Sequence, residues 1–408
     1  MFKNTNLLIL FFTMIVVMLG FGIIIPIMPF YIERFGAGGT ELGMMMAIFS
    51  IMQFLFSPIW GDLSDRFGRK PILLIGALGN AVSMLMFGLA DSMNMMFASR
   101  ALAGILSSAT LPTAMAFISD STDEKSRGGG MGLIGAAMGV GMVLGPGLGG
   151  WMGGVSLSAP FFLAAGLSLA AVVLILLILP ESLPREARSS GGKLRGPQLG
   201  MMWKSLFGPM GFLLFLAFLV NFGLANFEGI FGLYTKLRYN YGPSEVGTIM
   251  TVIGVISVLI QGALTGPATR RLGEVNVILL SLVGSALGFA LMLVAESYTA
   301  VLLTVGFFVF TNSMLRPVLA SLTSKMTQGG QGMALGLNNA FQSLGRVVGP
   351  LWAGSLFDVQ IGLPYSSAAV IMLISFSLGL IYLRRGPVRA AGAPQHVKDL
   401  AASEVQAD

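Results

Sequence analysis

Apolar runs of about twenty residues, the length a helix needs to cross a bilayer core of about 30 Å, recur twelve times along the 408 residues. Their approximate limits are 6–31, 42–60, 71–90, 95–119, 129–152, 160–180, 207–233, 246–266, 275–294, 298–320, 332–356 and 364–383, each bounded by charge, Gly or Pro. Lipid offers the backbone no hydrogen-bond partners, so segments of this kind must close their own bonds as helices. Composition agrees. A soluble domain carries about a quarter charged residues, whereas this chain has 10%, with 55% apolar residues and a mean hydropathy of +0.83. The run that follows Lys3, from Leu7 to Ile32, is too long for a signal peptide and lacks a cleavage-site pattern, so it reads as the first span.

The polar remainder excludes several function classes. There is no cysteine, hence no disulfide, thiolate metal site or cysteine nucleophile, and the one histidine, His396, lies in the polar tail. No metal and no cofactor are expected. A formal charge of +6 in so apolar a chain points to loops facing anionic lipid and not to nucleic acid. With the N-terminus in the cytoplasm, eighteen Lys and Arg fall on that side and three, Arg34, Lys236 and Arg238, on the other. The positive-inside rule then places both termini in the cytoplasm. The longest loop, Glu181 to Leu206, contains a Ser-Ser-Gly-Gly stretch and reads as a flexible linker.

Shifting the chain by 204 or 205 positions brings local patterns into register, a sign of internal duplication. Glu41 and Gly43 fall on Glu245 and Gly247; Gly61, Arg66 and Gly68 fall on Gly266, Arg271 and Gly273. Gly141, Gly145, Pro146 and Gly150 fall on Gly345, Gly349, Pro350 and Gly354. Six spans return the chain to its starting side, so the halves share one topology, as in transporters built from parallel repeats.

Between spans two and three lies Gly61-Asp62-Leu63-Ser64-Asp65-Arg66-Phe67-Gly68-Arg69-Lys70. This stretch resembles the loop signature Gly-x-x-x-Asp-Arg-x-Gly-Arg-Arg/Lys of the major facilitator superfamily. The resemblance implies that Asp65 and Arg69, framed by Gly61, Arg66 and Gly68, help latch the cytoplasmic side, with Asp120 at the end of span four completing the latch. In the second half Arg270, Arg271 and Gly273 remain but those acids are missing, so a latch there must differ. Span five carries Gly141, Gly145, Pro146, Gly149 and Gly150, where small residues four apart let backbones approach. It is similar to the antiporter motif of the drug:proton antiporter families, and twelve spans match their twelve-span branch. In span four, Arg100 and Gly104 resemble a family motif in which the arginine is linked to proton coupling, although Ala103 replaces its usual Gln. Arg100 can also be read as snorkelling towards the interface near Asp91.

Ionisable groups inside a membrane are functional candidates by default, and Glu228, in the outer third of span seven, is the only carboxylate well inside a span. It is the first candidate for the proton carrier; a fixed ion pair is the alternative. The sequence leaves three roles open for Arg346: pairing with Glu228, binding an anionic substrate group, or anchoring backbone carbonyls. Arg316, beside Pro317, is expected to snorkel at the inner end of span ten. Phe222, Asn226, Phe227, Phe231, Asn312, Asn338 and Gln342 are the candidate substrate contacts, a mixture that suits amphiphilic ligands.

The resulting expectation is an all-α membrane protein with twelve transmembrane helices in two six-helix pseudo-symmetric bundles, the major facilitator fold. Residues 1–182 form the first bundle, 183–206 a cytoplasmic linker, 207–385 the second bundle and 386–408 a cytoplasmic tail. The function expected is proton-coupled efflux of amphiphilic drug-like molecules across a bacterial inner membrane, by a monomer that performs no covalent chemistry. An exporter of a specific metabolite, siderophore or sugar, a lipid flippase and a receptor are the competing readings.

Overall fold

The computed structural model describes residues 2–189, 196–208, 210–326 and 331–384, and side chains outside 2–4, 124, 125 and 331. The expected tail, 386–408, and the Gly-Gly of the linker lie outside the described residues. Among the described residues there is no strand. The chain divides into two compact units, residues 1–198 with 231–254, and residues 199–230 with 255–408.

The first unit holds α1 (Phe2–Glu33), α2 (Gly39–Phe67), α3 (Arg69–Gly88), α4 (Met93–Leu106), α5 (Thr110–Ser121), α6 (Glu124–Gly153) and α7 (Ala159–Leu177). A 3-10 turn, Ser107–Ala109, joins α4 to α5, and the two helices make one span. The turn has a local cause: Pro112 has no N–H to donate to the carbonyl four residues back, at Ser108. Beyond the short helix α8 (Leu199–Leu206), in the segment expected to be a flexible linker, come α9 (Gly211–Tyr239), α10 (Pro243–Leu259) and α11 (Thr265–Leu272). A π turn, Ile260–Leu264, links α10 to α11 within one span. Next are α12 (Glu274–Val294), α13 (Tyr298–Asn312), α14 (Leu315–Lys325), α15 (Gln331–Val359) and α16 (Leu363–Tyr382). The break between α13 and α14 precedes Pro317, which stands 205 positions after Pro112, so both halves interrupt the same span by the same device.

Eleven of these spans are apolar enough to cross a membrane by composition alone. The twelfth, α15, is 29 residues long but carries Asn338, Asn339, Gln342 and Arg346 along its length. The chain is a membrane protein of twelve transmembrane helices, six in each half. The repeat extends to packing within each unit. A Cβ on Gly79 would meet Leu106 at 2.2 Å, and one on Gly284 would meet Thr311 at 2.3 Å. Both pairs are related by the 205-residue shift, so the first and second strands of the duplication pack their third and fourth spans through the same small residue.

Candidate functional site

The second unit carries three charged side chains well inside its spans, Glu228, Arg316 and Arg346. Glu228 stands seventeen residues after Gly211 and eleven before Tyr239 in α9, or about 25 Å and 16 Å from its ends at 1.5 Å per residue. It is therefore nearer the middle of its span than the outer third expected from sequence, because the helix continues to Tyr239 and not only to residue 233. Its carboxylate is half-buried and makes no hydrogen bond or close ion pair among the described residues. Arg316 and Arg346 are within its electrostatic reach. Arg316 Nε donates to Gln342 Oε1 at 3.3 Å, Gln342 donates to Asn338 Oδ1, and Asn338 Nδ2 donates to Thr323 Oγ1 at 3.4 Å. Arg346 Nη2 donates to Ser343 Oγ at 3.1 Å.

This network corrects the expectation for Arg316. Its span runs on to Lys325, nine residues beyond it, so the guanidinium is too deep to reach the interface and instead bonds an amide of α15. Arg316 is exposed, and Glu228 and Arg346 are partly so. Charged groups at this depth do not face hydrocarbon, which marks this surface of the second unit as one reached by water or solute. Extending span ten beyond residue 320, to Lys325, would have placed Arg316 away from its inner end.

The expected substrate contacts divide by burial. Phe222 packs near Trp352, with centroids 6.3 Å apart, while Phe227 is fully buried against Phe308 at 5.2 Å. Phe231 is also buried, within the first unit. In this conformation the three rings are buried, Phe222 and Phe227 beside neighbouring aromatic rings. Asn226 is completely buried with neither amide atom bonded, and the buried Asn312 has an unpartnered Nδ2. An unsatisfied buried polar group costs about 1–3 kcal/mol, so these amides are poised to accept a partner.

Arg100, in the first unit, is 2% exposed. It does not snorkel: its guanidinium lies over the Phe49 ring, 4.5 Å from the centroid, and Nε donates to the Met45 carbonyl at 3.4 Å. A charge buried this way needs the ring quadrupole and the carbonyl together. Gly104, one turn on, admits the α2 backbone, since a Cβ there would meet Phe49 O at 2.6 Å.

The loop signature folds into one cluster. Gly68 adopts φ 104°, a left-handed conformation suited to glycine, and turns the chain into α3 so that Arg69, its first residue, points inward. Arg69 pairs with Asp65 and, through Nε, with Asp120 Oδ2 at 2.9 Å. Its Nη1 also donates to Ser64 Oγ at 2.7 Å, and Ser64 in turn bonds Gly61 O at 2.8 Å. Arg66 lies in the same last turn of α2, partly buried. Sequence reasoning passed over Glu181. Its carboxylate accepts from the backbone N–H of Arg69 at 2.8 Å and of Lys70 at 3.3 Å, and it pairs with Arg188 at 3.7 Å. The Leu-Pro-Glu-Ser pattern after span six was the available signal. Glu181→Ala is expected to remove about 1 kcal/mol, the usual value of a helix N-terminal cap, and to lower the thermal midpoint of the purified protein by a few degrees.

The span-five glycines present two faces. Gly141, Gly145 and Gly149 lie against the α1 backbone, where a Cβ would meet Ile15 O at 2.7 Å, Leu19 O at 2.8 Å and Ile23 O at 2.8 Å. Pro146 meets Gly22 of α1, and Gly150 meets Gly247 and Pro243 O on the 231–254 segment of the first unit. Trp151 Nε1 bonds Thr248 Oγ1 at 3.0 Å, and Lys236 pairs with Glu33. One helix thus brings two backbones within touching distance, which only a run of small residues permits.

Twelve spans in two similar halves, charges buried in mid-span and glycine-lined helix contacts define a secondary-transporter architecture. The sequence profile of the Major Facilitator Superfamily matches residues 10–264 and 213–403, and the chain belongs to that superfamily. It is 35% identical over 398 residues to Multidrug resistance protein 1 of Bacillus subtilis, covering 97% of this chain and 98% of the relative. Its identity to Quinolone resistance protein NorA of Staphylococcus aureus (strain MRSA252) is 32% over 381 residues, 93% of this chain and 96% of that protein. Among solved structures, a bacterial homologue of the human lysosomal transporter Spinster superposes with a TM-score of 0.75 at 13% identity, over 94% of this chain and 97% of that one. At that identity the likeness concerns the fold.

Proposed function

We propose that this protein exports amphiphilic drug-like molecules across a bacterial inner membrane in exchange for protons, by alternating access. Glu228 carries the reading: a mid-span carboxylate without a close partner, facing two arginines on a surface that lipid cannot cover. Ionised, it offers charge to a solute; protonated, it does not, so proton and substrate compete for one group. The near full-length similarity to proteins named for multidrug and quinolone resistance supports export of drugs. The lysine and arginine bias supports both termini in the cytoplasm.

In this reading residues 1–182 and 207–385 are the two bundles, with 183–206 as the linker and 386–408 as the tail. The protein acts as a monomer and makes or breaks no covalent bond. The deciding measurement is transport by purified protein in proteoliposomes, across cationic, neutral and anionic dyes, with and without a pH gradient. Gradient-driven movement of several dyes is expected. Movement of labelled lipid without a gradient would indicate a flippase, and inert dyes beside one transported metabolite would indicate a dedicated exporter.

A further inference from the structure

The cluster around Arg69 has a counterpart in which its three ion-paired positions carry the opposite charge, although Arg66 falls on Arg271 with its sign unchanged and, among the described residues, Arg270 does not pair with Glu274 as Asp65 does with Arg69. Moving 205 positions along the chain carries Asp65, Arg69 and Asp120 onto Arg270, Glu274 and Lys325. The uncharged frame is kept. Gly61 falls on Gly266, Gly68 on Gly273, and Ser64 on Thr269. Gly68 (φ 104°, ψ 162°) and Gly273 (φ 78°, ψ 154°) share one left-handed turn. Each bonds the carbonyl four residues back, Gly68 N to Ser64 O at 3.1 Å and Gly273 N to Thr269 O at 2.9 Å.

That turn delivers the first residue of the next helix to the interior in both units. The Arg69 side chain is 7% exposed and that of Glu274 is 2% exposed. Glu274 is ion-paired with Lys325, at the last residue of α14, and accepts from Ser321 Oγ at 3.5 Å. Arg69 reaches Asp120, near the end of α5, in the same way.

The two polarities differ in what else they need. A helix favours a negative charge at its N-terminus and a positive one at its C-terminus. Glu274 at the start of α12 and Lys325 at the end of α14 obey that rule. Arg69 at the start of α3 and Asp120 near the end of α5 oppose it. The first unit accordingly adds two acids, Asp65 on the guanidinium and Glu181 on the first N–H groups of α3. The second unit holds its pair with no further acid among the described residues in contact with it.

We propose that Glu274 and Lys325 form a second latch, a charge-inverted copy of the first, which fastens the start of span nine to the end of span ten and positions them for the transport cycle. The proposal rests on the transport reading above; a wild-type protein that moves no dye would refute that reading without touching the latch, which is read by labelling. The chain has no cysteine, so a single Thr251→Cys reports on the opposite end of span eight, where Thr251 packs against Gly147.

Glu274→Gln and Lys325→Met are each expected to slow alkylation of that cysteine by a membrane-impermeant maleimide at least about threefold, because releasing one end of the bundle favours the state closed at the other. Efflux is expected to fall in parallel. Glu274→Arg combined with Lys325→Asp and Arg270→Asp, which installs both the polarity of the first half and the acid that stands beside Arg69 there, is expected to restore both. Parent-like labelling and transport in the folded single variants would overturn the proposal, as would a folded triple variant that restores neither. If the single variants fail to fold, the triple variant decides alone: parent-like labelling supports the latch, and labelling at least threefold slower overturns it.

Discussion

Glu228→Gln is expected to cut efflux driven by a pH gradient by about two orders of magnitude, the lower range of what a positioned proton-transfer group contributes. Substrate affinity should suffer far less. Glutamine preserves shape and most hydrogen bonding, and the loss of one charge contact at a partly wet surface is worth about 1.4 kcal/mol, or tenfold in affinity. Dye binding measured in detergent should therefore weaken by no more than about that factor while transport in proteoliposomes collapses. Wild-type gradient-driven rates in the variant would end the role assigned to Glu228. The arginines sharpen the test: in the variant Arg316 and Arg346 keep their charges without the carboxylate that interacts with both, so binding of anionic dyes should improve relative to cationic ones.

Gly145→Val is expected to reduce transport to near background, for steric reasons alone. A Cβ at Gly145 would lie 2.8 Å from Leu19 O and 2.9 Å from Gly22 Cα, and both are backbone atoms that no rotamer change can move aside. The α1 and α6 axes must separate, at an overpacking cost of about 1–3 kcal/mol. The control lies on the same helix. Gly132 has nothing within 4 Å of its would-be Cβ, so Gly132→Ala should transport normally and gain slightly in stability from helix propensity, by up to about 1 kcal/mol. Equal losses in both variants would show that the whole helix, and not its contact with α1, is sensitive to added bulk.

Spans, repeat and glycine contacts were legible in the sequence because each follows from a one-dimensional rule: length against bilayer thickness, spacing along a helix, identity at a fixed shift. Asp65, Arg69 and Asp120 were legible through a signature. Arg316 was not, since a charge beside proline resembles the end of a span and hydropathy cannot see that the helix resumes at Leu315. Glu181 was missed because its partners are backbone N–H groups, which no residue type announces. The burial of Phe227 and Phe231 was equally invisible, because an aromatic side chain on a helix reads the same whether it faces a solute or another ring. The charges that define the candidate site also fall outside the repeat: the positions matching Arg100, Glu228, Arg316 and Arg346 in the other half are Val305, Ile24, Leu111 and Met142. Duplication kept the frame, and the chemistry was added to one half at a time.

The π turn at Ile260–Leu264 records how that frame was preserved. Before it the halves match at a shift of 204, as Gly43 does with Gly247; after it, through the next loop and as far as span ten, they match at 205, as Gly61 does with Gly266, and the shift returns to 204 in span eleven, where Gly141 matches Gly345. One residue was gained in between. An extra residue in a plain α-helix would rotate everything beyond it by about 100°, swinging Arg270 and Gly273 off the face that their first-half counterparts occupy. A wider turn swallows the surplus where it arose. The insertion was thus confined to one turn of span eight, and the following loop kept its address.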